Sequence, residues 1–364
     1  MEVIAEIFYY LETLSKVEKE NISKFNSPFG FEIEYELPRE YLFSIRINEE
    51  ALIPFLEKSQ ENPTIEAIKN INQLPEISVL NAPSLEKFQI VDHSQISGIL
   101  PARIVAYSSG MNELLSNPFI KIDFDYYNDL TSLKKLKSDL ALDVNRLFYL
   151  NYDSNKFITI CNFIFDADDF DMSNFIEGQK ATDFGGIDLR ALKRELLIKN
   201  IRSFRISFRL KKLKKENDFK MHSNLNIALV KLKNCATFIN EENYDTKNEN
   251  HVNIELVFWV NKATKEAFRN NFKTAYELYR TFYFFQLLNT ELISKKTRQA
   301  ISSAKAGSYE NLSDELPKHE ASKLNFQISG LTFYTKDKVQ LQYRKFSDGE
   351  HQLLQVIGSL LLLD

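Results

Sequence analysis

Glycine and proline are scarce in this chain of 364 residues, ten and nine respectively, so neither a collagen-like repeat nor a low-complexity disordered composition applies. Only two cysteines occur, Cys161 and Cys235, both in apolar surroundings and without the spacing of a zinc site or a redox pair. A reducing, cytoplasmic compartment is expected. No apolar run approaches the roughly 20 residues that span a bilayer, and the opening MEVIAEIFYYLE is acidic where a secretory leader would be basic; no membrane association is expected. A formal net charge of −4 excludes a uniformly basic surface. Aromatic residues, by contrast, are plentiful: 29 phenylalanines and 16 tyrosines, enough for a sizeable core in two or three domains, or in one large domain with an insertion.

Hydrophobic periodicity supplies the elements. Ile4, Ile7, Phe8, Leu11 and Leu14 share one face of a helix over residues 1–20, with Glu6 and Glu12 placed elsewhere. That helix has no capping residue ahead of it, and the chain is expected to continue upstream. Strict alternation in FEIEYEL (31–37) and YLFSIRI (41–47) predicts a hairpin. Residues 49–95, punctuated by prolines, read as short helices and loops. ARIVAYSSGMNELL (102–115) reads as strand, small-residue turn and helix, an α/β unit whose strand end is where such folds place ligands. Helices are expected over 130–150, 157–165 and 188–198, strands over 203–210, 224–232 and 252–260, and one long helix over 262–293. Residues 294–323 are polar and read as a linker, followed by three short strands over 323–346.

The final segment, FSDGEHQLLQVIGSLLLLD, carries the most specific chemistry. Ser347 and Glu350 have the spacing of a capping box, and Leu353, Leu354, Ile357, Leu360 and Leu361 are expected to form the buried stripe. Gly349 caps nothing, and in the first turn of a helix it costs about 1 kcal/mol relative to alanine. Without a side chain there, a phosphate can approach the free amides at the positive end of the helix dipole.

Ser347-Asp348-Gly349-Glu350, followed by Gln352-Leu353-Leu354, resembles the signature motif of ABC-type ATPases in its RecF-like and SMC-like variant. IVAYSSGMNELLSNPF (104–119), LFYLNYDSNKFI (147–158) and LKRELLIKNIRSFRISF (192–208) are similar to segments of the AAA family ATPases that accompany bacterial restriction systems. The resemblance implies an α/β fold, a partial ABC-type P-loop ATPase head with a large α+β insertion. Residues 1–130 would be the first part of the head, 131–323 the insertion, and 324–364 the return strands and signature helix. It implies that Ser347, Asp348, Gly349 and Glu350 contact the γ-phosphate of ATP held by a second head, in a homodimer formed on ATP binding. Arg344 and the turn Ser108-Ser109-Gly110 would lie near the nucleotide. DNA and a restriction nuclease or methylase are the further partners implied. The chain departs from the family in two places: it contains no GxxxxGK[ST] loop and no apolar strand ending in Asp-Glu. Both motifs are expected beyond the two ends, along with the ligands of Mg2+, so that these residues would be an internal fragment that is inactive alone. The alternative is a DNA-binding or scaffold protein without ATPase activity.

The remaining clusters read as less specific. Lys211, Lys212, Lys214 and Lys215, in the run RLKKLKK, suit DNA phosphates or a solvated strand end equally. DADDFD (166–171) lacks the glycine of an EF-hand loop and reads as a solvated loop, as does DFDYYND (123–129). The five histidines have no metal-ligand spacing, His351 reads as a solvated first-turn residue, and no metal site is expected.

Overall fold

The computed structural model describes residues 2–17, 21, 29–38, 62–80, 88–90, 93–107, 116–131, 146–170, 180–212, 219–246, 249–302, 316 and 319–363. It is a mixed α/β structure with small sheets. Helix α1 (Glu2–Lys16) buries Ile7, Phe8, Leu11 and Leu14 against a four-stranded antiparallel sheet of β1 (Phe31–Glu36), β2 (Thr64–Lys69), β3 (Glu76–Val79) and β4 (Phe88–Ile90). The partner of β1 is β2, in the register Phe31↔Lys69; the hairpin expected with residues 41–47 falls outside the described residues. Three strands within 64–90 replace the helices and loops expected there. TIEAIK alternates in burial as a strand should, and the flanking Pro63 and Pro75 bound strands rather than break helices.

Two other expectations for α1 need correction. Ile4 is exposed, while Glu6 and Glu12 are buried, because this helix is covered on a second side. Glu6 meets Lys121 at 3.1 Å, and Glu12 meets Arg146 at 3.2 Å and Lys16 at 3.1 Å. The Arg146 guanidinium also donates to the carbonyls of Leu100 and Pro101. Burying a carboxylate is tolerated where a cation and further hydrogen bonds compensate it, and periodicity alone does not reveal that compensation.

Next, β5 (Ile104–Tyr107), α2 (Asn117–Thr131) and β6 (Leu147–Leu150) form a parallel crossover, with Ile104 opposite Leu147. The strand of the α/β unit expected from 102–115 is present, and the expected turn and helix (108–115) lie outside the described residues. Residues 147–150 are strand rather than the helix expected through 150, because LFYL pairs along its length with β5. Helices α3 (Tyr152–Ile164) and α4 (Arg190–Glu195) follow as expected.

The largest sheet is five-stranded and antiparallel, in the order β11-β10-β7-β9-β8: β7 (Ile198–Lys211), β8 (Phe238–Thr246), β9 (Glu249–Trp259), β10 (Phe326–Thr335) and β11 (Gln340–Gln342). It joins strands from both sides of residue 323. Where three short strands were expected after 323, there are two, because Gly330, with φ +62, carries β10 through a register shift without ending it.

Between β7 and β8 the expected strand 224–232 is instead helix α5 (Ser223–Cys235). Leu225, Ala228, Leu229, Leu232 and Cys235 are buried at a helical period, and His222 Nδ1 accepts from the Asn224 amide to start it. Ile227 and Val230, whose β-branched side chains suit a strand, are both exposed on this helix. The long helix expected over 262–293 is divided into α6 (Lys262–Asn271) and α7 (Ala275–Leu287). Thr274 Oγ1 accepts from the Glu277 amide while Glu277 accepts from the Lys273 amide, so a fresh cap begins where one helix was expected to run on. Part of the expected polar linker is helix α8 (Lys295–Ser302).

A second, larger core lies beside that of α1 and its sheet and gathers the elements from β5 onward. Phe204 stacks on Phe258 at 4.5 Å in the sheet, and Phe285 and Phe326 close on Phe208. The terminal helix α9 (Asp348–Leu363) packs on α3 and contributes Leu354 and Leu362 to the same core. No helix among the described residues is long and apolar enough to cross a membrane.

Candidate functional site

The first turn of α9 is built by its own sequence. Ser347 Oγ accepts from the Glu350 amide at 3.3 Å, and Glu350 Oε2 accepts from the Ser347 amide at 2.6 Å and from the Ser347 hydroxyl at 2.8 Å. This is the expected capping box. Ser347, Asp348 and Gly349 are exposed.

Two glycines of this helix have different physical reasons. A Cβ on Gly358 would lie 2.8 Å from Ile158 Cγ2 and 3.1 Å from Asn162 Nδ2, so α9 can approach α3 this closely only without a side chain there. A Cβ on Gly349 would meet nothing within 4 Å, and its φ is not in the left-handed region. Neither packing nor backbone conformation asks for Gly349.

The rest of α9 is fixed against α3 by polar side chains reaching across. Asn155 Nδ2 donates to the His351 carbonyl at 2.8 Å, Asn162 Nδ2 donates to the Gly358 carbonyl at 2.8 Å, and Gln355 Nε2 donates to the Asn151 carbonyl at 3.1 Å. The face turned inward is therefore Leu354, Gln355, Gly358, Ser359 and Leu362, with Leu353, Ile357 and Leu361 partly buried and Leu360 exposed. This corrects the expected leucine stripe: close approach at Gly358 rotates small and polar positions into the contact. Ahead of the turn, buried Tyr343 and Phe346 anchor the approach, Phe346 against Phe333 at 5.3 Å. His351 is half-buried rather than solvated, its ring edge-on to Tyr343 at 4.5 Å, and burial lowers its pKa from the ordinary histidine value. Arg344 is exposed, and its Nε donates to Gln342 Oε1 at 2.8 Å.

The other predicted positions are not gathered here. Ser108, Ser109 and Gly110 lie outside the described residues, as do Lys214 and Lys215. Lys211 ends β7, whereas β11, which leads into the site, pairs beside Thr332–Tyr334 and so next to the opposite end of β7. The two places are roughly 25 Å apart along the strand. Lys211 pairs with Glu291 at 2.7 Å, and Lys212 donates to Asn243 at 2.9 Å.

The acidic run beginning at Asp166 is not a solvated loop. Asp166 is fully buried and ion-paired with Lys193. Asp169 accepts from Lys265 at 2.5 Å, and Lys265, buried, also donates to Asn200 at 2.9 Å. Arg269 donates to the carbonyls of Ile164, Asp166 and Asp169. Burial pushes the Asp166 carboxyl up against the pull of Lys193. Burial acts likewise on Asp169, but Lys265, Lys193 and Arg269 outweigh it and hold its pKa below the usual range. In the other acidic run, Asp123 faces the core side of α2 and accepts from the Tyr283 hydroxyl; burial raises its pKa to about 7.

No family model, curated protein or solved structure matches the chain.

The residues that the sequence does not single out are those whose role depends on distant partners. Asn155 and Asn162 sit mid-helix, where asparagine is a weak helix former, and that was the available signal.

Proposed function

We propose that residues 347–350 are the signature half-site of an ABC-type ATPase, and that the chain belongs to a partial ATPase head of this class with a large α+β insertion. In this reading Ser347 and the amides of Gly349 and Glu350 contact the γ-phosphate of ATP carried by a second head, and ATP holds two heads together. The observation that carries it is Gly349, exposed in the first turn with open space where a side chain would stand and no structural demand for glycine. The capping box supports it by aligning the first-turn amides, and the parallel β5-α2-β6 unit supports an α/β head.

The residues present fit one part of an ATP site. Bare amides and a hydroxyl at a helix start suit a phosphate, which the helix dipole favours. No Walker A loop or Asp-Glu strand is present among the 364 residues, so the Mg2+ ligands and the catalytic groups must be supplied outside them. A bacterial restriction or DNA-repair setting, with DNA and a nuclease or methylase as partners, follows from the same resemblance.

The test is ATP hydrolysis and ATP-dependent dimerisation by the complete polypeptide in which these residues occur. Ser347→Arg, which fills the phosphate position, is expected to abolish both while costing only the lost cap, about 1 kcal/mol, so that the protein stays folded in a thermal melt. A coding sequence without GxxxxGK[ST] upstream, or hydrolysis indifferent to Ser347→Arg, refutes the reading.

A further inference from the structure

A second candidate site lies at the other end of β7. There β7, α2, the segment entering α5, the end of α7 and α8 enclose a cleft of about 220 Å³. Its lining includes Arg209 and Lys211 from β7, Lys220 from the following turn, and Arg298 from α8. Among the described lining residues these four cations face one carboxylate, Glu291, which pairs with Lys211 at 2.7 Å and accepts from Asn325 at 3.1 Å. The Arg298 guanidinium lies over the Tyr127 ring at 5.0 Å, and its buried Nε has no hydrogen-bond partner among the described residues.

The four cations come from three separate segments: Arg209 and Lys211 share a face of β7, and no periodicity brings Lys220 and Arg298 to them. Like charges held together raise the local potential, and low-dielectric walls focus it on the enclosed space. Here the walls include Tyr127, Phe219, Met221 and Leu288. In a chain of net charge −4 this is a local concentration of positive charge rather than an overall property. A buried guanidinium N–H without an acceptor costs free energy until an anion supplies one.

We propose that this cleft binds a phosphate ester, with Arg209, Lys220 and Arg298 holding the phosphoryl oxygens and Tyr127 and Phe219 bordering the attached group. The shared chemistry is a phosphoryl group of high negative charge, delivered either by a small phosphorylated molecule or by the backbone of a nucleic acid. Arginine forks match phosphate oxygens two at a time, and a volume of this size admits one such group with the start of what it carries. The proposal stands apart from the signature reading, since it uses none of residues 344–350.

Two probes separate the sources. Inorganic pyrophosphate is titrated calorimetrically, and a fluorescent 20-base-pair DNA duplex is titrated by anisotropy at several salt concentrations. Arg298→Gln and Lys220→Gln are each expected to weaken the bound probe about tenfold or more, and Arg298→Lys to retain part of the affinity. Lys262→Gln, an exposed charge on α6 outside the cleft, is the control and is expected to leave binding unchanged. Thermal melts confirm that each variant is folded. Pyrophosphate binding without duplex binding assigns a small phosphorylated ligand. Duplex binding that pyrophosphate competes away, and that weakens steeply with salt, assigns a nucleic-acid backbone. Binding of neither probe overturns the proposal, and so does an equal loss in Lys262→Gln and Arg298→Gln.

Discussion

Two short acidic runs, Asp166 to Asp169 and Ser347 to Glu350, look alike as sequence and behave oppositely in the fold. The first is drawn into the structure: Lys193 comes from α4, and Lys265 and Arg269 come from α6, to meet carboxylates and carbonyls at the end of α3. In the second, the Ser347 and Glu350 side chains bond to their own turn among the described residues, while Ser347, Asp348 and Gly349 stay exposed. A charged run that distant cations converge on is part of the framework. One that the framework ignores is left available for something outside the chain.

The largest effect separating the two runs should come from Lys265. Lys265→Met leaves the Asp169 carboxylate and the Asn200 amide oxygen without their buried donor, and is expected to destabilise the protein by about 3 kcal/mol in urea denaturation. Adding Asp169→Leu should recover much of that loss, since removing both partners of an ion pair costs less than removing one. A loss below about 1 kcal/mol for Lys265→Met would break the comparison, because that is the range of a solvated pair. Next in size is Gly358→Ala, which forces a Cβ into Ile158 and should cost about 1–3 kcal/mol, again read as a shifted urea midpoint.

What was legible in the sequence divides along the same line. Local chemistry could be read: the capping box at Ser347 and Glu350 and the strands at FEIEYE, at residues 104–107 and at VNIELVFW all rest on neighbours within a few positions. What depended on long-range partners could not be read. Glu6 and Glu12 looked like solvent positions because Lys121 and Arg146 lie more than a hundred residues away. The leucine stripe of α9 was misplaced because the contact with α3 is set by Gly358, Asn155 and Asn162 rather than by apolar spacing. The segment of helix α5 reads as a strand because Ile227 and Val230 are β-branched, and both are exposed. The split between α6 and α7 is signalled by Thr274 and Glu277, which have capping-box spacing within a dense apolar pattern; Thr274 caps α7. The cationic cleft was half visible, as Arg209 and Lys211, but Lys220 and Arg298 carry no local signal.

Smaller substitutions sharpen the second run. Ser347→Ala removes the acceptor for the Glu350 amide, and is expected to cost about 1 kcal/mol, measured by thermal or urea unfolding. Gly349→Ala is expected to have the opposite sign. With nothing within 4 Å of the new Cβ, alanine should stabilise the helix by a few tenths of a kcal/mol up to about 1 kcal/mol. In the complete polypeptide the same substitution should weaken ATP-dependent association. A glycine that lowers stability and supports function is what a phosphate-approach position requires. A variant that is more stable and fully active would leave Gly349 without a role.

The smallest expected effect is a pH dependence beside the same turn. Burial between Tyr343 and Phe346 lowers the pKa of His351 below its unfolded value, opposed only by Asp348 and Glu350. The unfolded chain therefore takes up this proton at a higher pH than the folded one. The contribution is fully present above the unfolded histidine pKa, and it is lost as pH falls through the folded pKa. His351→Phe keeps a ring against Tyr343 and removes the titration, so the difference in urea midpoint between pH 7.5 and pH 5 should narrow by a small amount relative to the parent protein. An unchanged difference would mean that His351 is as solvated as its place in the sequence suggests, and that the framework begins only after the Ser347–Glu350 turn.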